Sequence, residues 1–163
     1  MASAAPVTLS VVIPAYNEAA RLPATLAAVR QFLDARTITH EVIVVDDGSA
    51  DDTANRARVG GARVLAERHR GKAAALRAGV RAATGDRVLL MDADLATPID
   101  EWTKCAAAFD TGADIVIGSR EMPDSRRIGE PWYRHVMGRV FNWLVQLLVM
   151  RGIRDTQCGF KAM

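Results

Sequence analysis

Asp92-Ala93-Asp94 directly follows the apolar run Val88 to Met91, so two carboxylates stand at the end of a candidate strand with one small residue between them. The alanine lets the loop pass while both acids converge on one point. Such a pair suits a hard divalent cation. Mg²⁺ and Mn²⁺ prefer oxygen ligands, and Mg²⁺ sites commonly use one or two carboxylates completed by phosphates and water. A second acidic group, Asp46-Asp47-Gly48-Ser49, also closes an apolar run. Two readings stay open for it. It is a tight turn feeding a helix capped by Asp51 or Asp52, or its carboxylates accept hydrogen bonds from a ribose hydroxyl or a base N–H. Arg70-Gly71-Lys72 stands where a helix begins. Backbone N–H groups and a cation could hold an anion there, and solvated surface charge is the alternative.

Neighbouring motif classes drop out on spacing. Gly71-Lys72 lacks the GxxxxGK[ST] spacing of a P-loop, and Ala73 stands where Ser or Thr would hold the metal. A dinucleotide dehydrogenase needs a glycine-rich turn after its first strand, where this chain has Pro14 to Ala19. Cys105 and Cys158 lie 53 residues apart with no CxxC partner, which excludes a zinc ribbon and a disulfide scaffold and favours a reducing compartment. The histidines, His40, His69 and His135, are scattered, and none is assigned a catalytic role.

The elements that must carry these residues are legible as apolar runs alternating with alanine-rich stretches, the pattern of an α/β chain around a largely parallel sheet. Strands are predicted at 9–14, 41–45, 63–66, 87–91 and 115–117, several of them continuous Val, Ile and Leu runs suited to burial on both faces. Helices are predicted at 22–36, 52–59, 72–83 and 98–109, with Pro23 and Pro98 in first turns and Gly60/Gly61 and Gly85 at the exits. Ligands of open α/β sheets bind beyond the carboxyl ends of the strands. Four strand ends here are polar: Pro14-Ala15-Tyr16-Asn17-Glu18, Asp46 to Ser49, Asp92 to Asp94, and Gly118-Ser119-Arg120. Any one alone reads as a turn or cap; four on one edge read as a site.

The chain has 163 residues, half of them hydrophobic and a quarter charged, with a net charge of +2, which excludes disordered and collagen-like classes and suits one domain. The small net charge hides a local balance of +7 over residues 56–87, where eight Arg and one Lys face only Glu67 and Asp86. Without interleaved aromatics to stack bases, this stretch does not read as a nucleic-acid surface. The N-terminus lacks the charged start and apolar stretch of a secretory signal. Residues 140–150, the most apolar run, would cover roughly half of a ~30 Å hydrocarbon core. A helix is expected from Pro131 to about Met150, and Asp155 to Met163 reads as the approach to another strand that is cut short, so that 1–163 is expected to be a single domain incomplete at its C-terminal end.

The series Val-Ile-Pro-Ala-Tyr-Asn-Glu (12–18), Val-Val-Asp-Asp-Gly-Ser (44–49), Gly-Lys (71–72), Asp-Ala-Asp (92–94), Gly-Ser-Arg (118–120) and Asp-Thr-Gln-Cys-Gly-Phe-Lys (155–161) resembles family 2 glycosyltransferases, and among them polyprenyl-phosphate sugar synthases. The resemblance implies a GT-A fold, a Rossmann-like, mostly parallel sheet with helices on both faces. It also implies inverting transfer of a sugar from a nucleotide diphosphate donor. On that resemblance Pro14, Tyr16 and Glu18 line the nucleoside pocket with Asp46 and Asp47, Lys72 lies near the donor, and Asp92 and Asp94 hold Mg²⁺ or Mn²⁺ on the diphosphate. Asp94 and Arg120 are the catalytic candidates, with Arg120 and Arg134 on the acceptor phosphate. Arg21-Leu22-Pro23 and Asp-Ala-Asp-Leu-Ala-Thr-Pro (92–98) are most similar to dolichyl-phosphate glucose synthases, while Ala96 departs from the Gln that mannose synthases often carry.

The expected reaction is therefore metal-dependent transfer of glucose from UDP-glucose to a polyprenyl phosphate at the cytosolic face of a membrane. A phosphate monoester acceptor is already an oxyanion near neutral pH, since its second pKa is about 6, so no strong general base is needed. Trp132, Tyr133 and Trp143 with flanking arginines suit contact with a membrane surface, and core packing explains much of the same helix. Alternatives are mannose from GDP-mannose, a saccharide acceptor, and a noncatalytic nucleotide-sugar-binding module.

Overall fold

The computed structural model describes residues 7–118 and 158–163. Arg120, Arg134, the helix expected from Pro131 and residues 155–157 of the last motif lie outside them. The described elements are β1 (Leu9–Ala15), α1 (Leu22–Ala35), β2 (His40–Asp46), α2 (Thr53–Val59), β3 (Arg63–Ala66), α3 (Lys72–Ala82), β4 (Arg87–Leu90), a 3-10 turn (Ile99–Glu101) running into α4 (Trp102–Asp110), β5 (Val116–Ile117) and β6 (Lys161–Ala162).

They form a mostly parallel six-stranded sheet in the order β3-β2-β1-β4-β6-β5. β1 to β4 are mutually parallel, and β6 runs antiparallel between β4 and β5. The strand expected near the C-terminal end is therefore present, and its insertion between two earlier strands is a result of tertiary pairing. Side chains alternate across the sheet with the period of two that a pleated strand imposes. Val11, Ile13, Val42, Val44 and Leu89 face one way, onto Leu22, Leu26 and Val29 of α1, Ala57 of α2, and Trp102 and Phe109 of α4. Val12, Ile43, Val45 and Leu90 face the other way, onto Ala75 of α3. Helices on both faces explain why the middle stretches of the central strands, 11–13, 42–45 and 88–90, are continuously apolar.

Several local expectations are refined. Pro23 occupies the first turn of α1 as expected. Pro98 instead is the extended residue before the 3-10 turn, with ψ 147°, so the helix proper starts four residues later at Trp102. The chain leaves α3 through extended Ala83. Gly85 then donates its N–H to buried Ser10 Oγ at 2.9 Å. The start of α2 is served by Asp51, whose Oδ1 accepts the Thr53 N–H at 3.0 Å, while Asp52 pairs with Arg56 at 3.1 Å.

At the amino edge of the sheet, Glu41 Oε1 accepts from Ser10 Oγ (2.6 Å), Thr84 N–H (2.7 Å) and Thr84 Oγ1 (2.7 Å), and Arg63 lies 3.5 Å from Oε2. Burial by itself raises the Glu41 pKa, but these hydrogen bonds and the Arg63 charge outweigh it and hold the carboxyl below its ordinary value. Both cysteines are buried and neither is in a disulfide, and burial pushes the Cys105 thiol up to about 11. Among the described residues no helix is long and apolar enough to cross a membrane.

Candidate functional site

The sheet opens at its carboxyl edge between β1 and β4. The β1–β2 ladder continues to the pair Ala15 and Asp46, whereas the β1–β4 ladder ends at Val12 and Leu90. One more bond, Met91 N–H to Val12 O at 3.1 Å, closes it. Chain order reverses here, β2 and β3 lying on one side of β1 and β4 on the other, and crevices form at such switch points. Pro14 lies two residues beyond the last β4 partner, where its missing N–H costs no ladder bond to that strand.

The loops leaving β1 and β2 are tied to each other. Asn17 N–H donates to Ser49 Oγ (2.9 Å) and Ala50 N–H to Asn17 Oδ1 (2.8 Å). Glu18 N–H donates to Thr53 Oγ1 (2.8 Å) and Ala19 N–H to Asp51 Oδ2 (3.1 Å). Asn17 adopts φ 54°, a left-handed conformation that asparagine tolerates better than most residues. The Glu18 carboxylate faces Arg21 at 3.4 Å, and its carbonyl accepts the N–H groups that start α1. Asp46 is buried with one oxygen accepting the Ser49 N–H at 3.1 Å.

Asp47 does a different job from its neighbour. Its Oδ1 accepts the Arg70 N–H at 2.9 Å and its Oδ2 the Gly71 N–H at 2.8 Å, with His69 Nδ1 also 2.9 Å from Oδ2. Only 3 % of the residue is exposed. The carboxylate is thus a clamp on the loop 69–71, which leaves Asp46 rather than Asp47 with an oxygen free of these bonds. Burial would raise the Asp47 pKa, but the two N–H donors and His69 outweigh it and lower it overall. Gly71 is held at φ 88°, ψ 163°, a conformation closed to residues with a Cβ, and this turn delivers Lys72 as the first residue of α3.

Lys72 reaches across to the loop that follows β4, with Nζ 2.5 Å from Asp92 Oδ1. Asp92 is backed from behind by Gly159: a Cβ there would stand 2.1 Å from Asp92 Oδ2 and 2.6 Å from its Cγ. The flanking Cys158 and Phe160 are buried. Ala93 turns into the core, and its carbonyl accepts Thr25 Oγ1 at 2.6 Å from α1. Asp94 is exposed, with Oδ1 accepting only the Ala96 N–H at 2.9 Å among the described contacts. Leu95 packs on the core while held at φ 54°, a strained combination that closes the turn behind Asp94.

Above the Asp47 clamp, the Tyr16 and His69 rings stack with centroids 4.2 Å apart and planes 27° from parallel. Tyr16 is 46 % exposed. The pair forms an aromatic shelf beside Asp46. The site can therefore offer a flat apolar surface, a buried carboxylate, an ammonium and two acids along one edge.

No group of three candidate ligands occurs among the described residues. Two carboxylates fit a hard cation that takes its remaining ligands from phosphate oxygens and water, and they do not fit a closed structural metal site.

Of the expected residues, Pro14, Tyr16, Asp46, Asp47, Lys72, Asp92 and Asp94 line the carboxyl edge, and Glu18 sits at the start of α1. Sequence reasoning missed His69, Gly159 and Thr25. His69 was named but given no role, since no spacing tied it to the polar strand ends. Gly159 lay inside a recognised motif, but its contact with Asp92 joins residues 67 apart in the chain.

Comparison with known proteins agrees with this architecture. The sequence profile of Glycosyl transferase family 2 matches residues 10–163. The dolichyl-phosphate beta-glucosyltransferase of Mus musculus is 38 % identical over 173 residues, which covers 94 % of this chain and 53 % of the mouse protein. The undecaprenyl-phosphate 4-deoxy-4-formamido-L-arabinose transferase of Aeromonas hydrophila is 36 % identical over 161 residues, covering 94 % of this chain and 48 % of that one. The chain thus spans about half the length of the curated relatives it matches. Among solved structures, glucosyl-3-phosphoglycerate synthase from Mycobacterium tuberculosis, crystallised with Mn²⁺, UDP-glucose and phosphoglyceric acid, superposes with a TM-score of 0.70 at 26 % identity, covering 95 % of this chain and 56 % of the other. The fold is GT-A.

Proposed function

The chain belongs to glycosyl transferase family 2, and from that premise we propose that residues 1–163 act as a single catalytic domain that moves glucose from UDP-glucose to a polyprenyl phosphate with inversion, assisted by a divalent cation. The carrying observation is the 2.5 Å contact between Lys72 and Asp92. It joins the α3 turn clamped by Asp47 to the acidic loop after β4, so the ends of β2, β3 and β4 surround one point. Similarity to a dolichyl-phosphate beta-glucosyltransferase favours glucose and a polyprenyl phosphate acceptor. The mycobacterial neighbour with UDP-glucose and Mn²⁺ favours the same donor and a metal.

In this reading the uracil lies against the Tyr16 and His69 shelf, and Asp46 accepts a hydrogen bond from the base or ribose. Asp92 and Asp94 would hold Mg²⁺ or Mn²⁺, which supplies Lewis-acid stabilisation of the departing diphosphate when bound. Lys72 places a positive charge beside the phosphates. The acceptor is itself an anion, and two unit charges 4 Å apart repel by about 4 kcal/mol at an effective dielectric of 20. Arg120 and Arg134, whose guanidinium groups match phosphate geometry and stay charged, are the proposed counterweights. An acceptor anchored in lipid implies work at a membrane surface, and the cytosolic face is part of the same proposal.

The test is UDP release from UDP-glucose with Mn²⁺ or Mg²⁺ and a short polyprenyl phosphate. Asp94→Asn should lower turnover by at least about 100-fold and weaken Mn²⁺ binding in the presence of UDP while leaving thermal unfolding unchanged. Wild-type turnover in both Asp92→Asn and Asp94→Asn would end the metal assignment.

A further inference from the structure

We propose that Lys72 is a displaceable substitute for the divalent cation. Without nucleotide its ammonium occupies Asp92, and a nucleoside diphosphate frees that carboxylate for the metal by drawing Lys72 onto its phosphates. The inference rests on reading Asp92 and Asp94 as the cation's ligands, and it concerns the order in which the site fills.

The geometry makes the competition direct. Asp92 Oδ2 lies against Gly159, where even a methyl group would be 2.1 Å away. The other oxygen, Oδ1, would stand 2.9 Å from that methyl group and carries the ammonium, with Lys72 Nζ 2.5 Å away. An ammonium and a divalent ion repel and cannot both approach one oxygen closely, so one excludes the other. Lys72 is also built to leave. Its side chain is 52 % exposed against 27 % for Asp92, and a lysine is a point charge on a flexible four-carbon stem. Its backbone does not follow, because Gly71 is fixed to Asp47. The ammonium therefore swings about an anchored base at the mouth of α3, close to where diphosphate oxygens would lie.

Asp94 carries no such cation among the described contacts. The device acts on one ligand of the pair. Two consequences follow by linkage: metal alone binds weakly, and nucleotide and metal strengthen each other by the same factor.

The experiment titrates Mn²⁺ by electron paramagnetic resonance of the free ion, with and without saturating UDP, on the wild-type chain, Lys72→Met and Arg77→Met. Arg77 is exposed on the same helix, so its variant removes an equal charge without touching Asp92. Lys72→Met should bind Mn²⁺ alone about five- to tenfold tighter than wild type, in the range typical of coupled sites, and the further gain from UDP should shrink by the same factor. Arg77→Met should change Mn²⁺ affinity less than about twofold. Equal affinities for Mn²⁺ alone in Lys72→Met and Arg77→Met would overturn the exchange. If Asp94→Asn nevertheless abolishes Mn²⁺ binding in the presence of UDP, the metal site itself survives that result. Failure of every variant to bind Mn²⁺, with or without UDP, would overturn both.

Discussion

Replacing Gly159 by alanine should disable the acidic loop from a distance of 67 residues in sequence. The added Cβ would stand 2.1 Å from Asp92 Oδ2, 2.6 Å from Cγ and 2.9 Å from Oδ1, against an ordinary contact distance of 3.4–4 Å. Something must move by about 1.3 Å. The backbone of 158–160 is pinned by buried Cys158 and Phe160, the latter 1 % exposed, and by β6 between two strands. The partly exposed carboxylate is the softer partner, so it is the group displaced, away from Gly159 and out of its present position beside Lys72. A 1 Å misplacement of a positioned group costs about 100-fold in rate, or about 2.7 kcal/mol. Overpacking adds about 1–3 kcal/mol of destabilisation. We predict that Gly159→Ala lowers kcat/KM for UDP release by about 100-fold and weakens Mn²⁺ binding, while UDP binding without metal is unchanged. A thermodynamic cycle isolates the cause: in an Asp92→Ala background the clash is gone, so Gly159→Ala should cost little further stability. An equal loss of stability in both backgrounds, or wild-type turnover of Gly159→Ala, would refute the steric argument.

The remaining predictions concern the shelf and the amino edge. His69→Ala should weaken UDP binding by about 1–2 kcal/mol, the scale of base–aromatic stacking, and leave pyrophosphate binding untouched; calorimetry with both ligands checks it, and an equal loss for pyrophosphate would contradict a base contact. Glu41→Gln should lower unfolding free energy at pH 7 by about 1–3 kcal/mol, the cost of disturbing a hydrogen-bonded charged group. Because the folded-state pKa of Glu41 lies below its unfolded value, its contribution is complete above the unfolded value and fades as pH falls through the folded one. Urea unfolding at pH 7 and at about pH 3 should show the gap between Glu41→Gln and wild type shrinking in acid; a gap that widens in acid would reverse the sign of the argument.

The order of strands and helices, the parallel sheet and the two acidic strand ends were legible in the sequence because each depends on short-range pattern. Continuous Val and Ile runs report strands covered on both faces, and a carboxylate right after such a run has few places to be except the carboxyl edge. Tertiary structure decided what those groups do. Asp46 and Asp47 are adjacent and chemically identical, yet the second is consumed by the N–H groups of Arg70 and Gly71. That division depends on where the β3–α3 turn lands. His69 meets Tyr16 because the loops after β1 and β3 come together, and Gly159 backs Asp92 because β6 pairs antiparallel between β4 and β5. Local sequence sets which way each strand points and which residues end it. Contacts between residues dozens of positions apart have no period to betray them, and these contacts separate a clamp from a ligand.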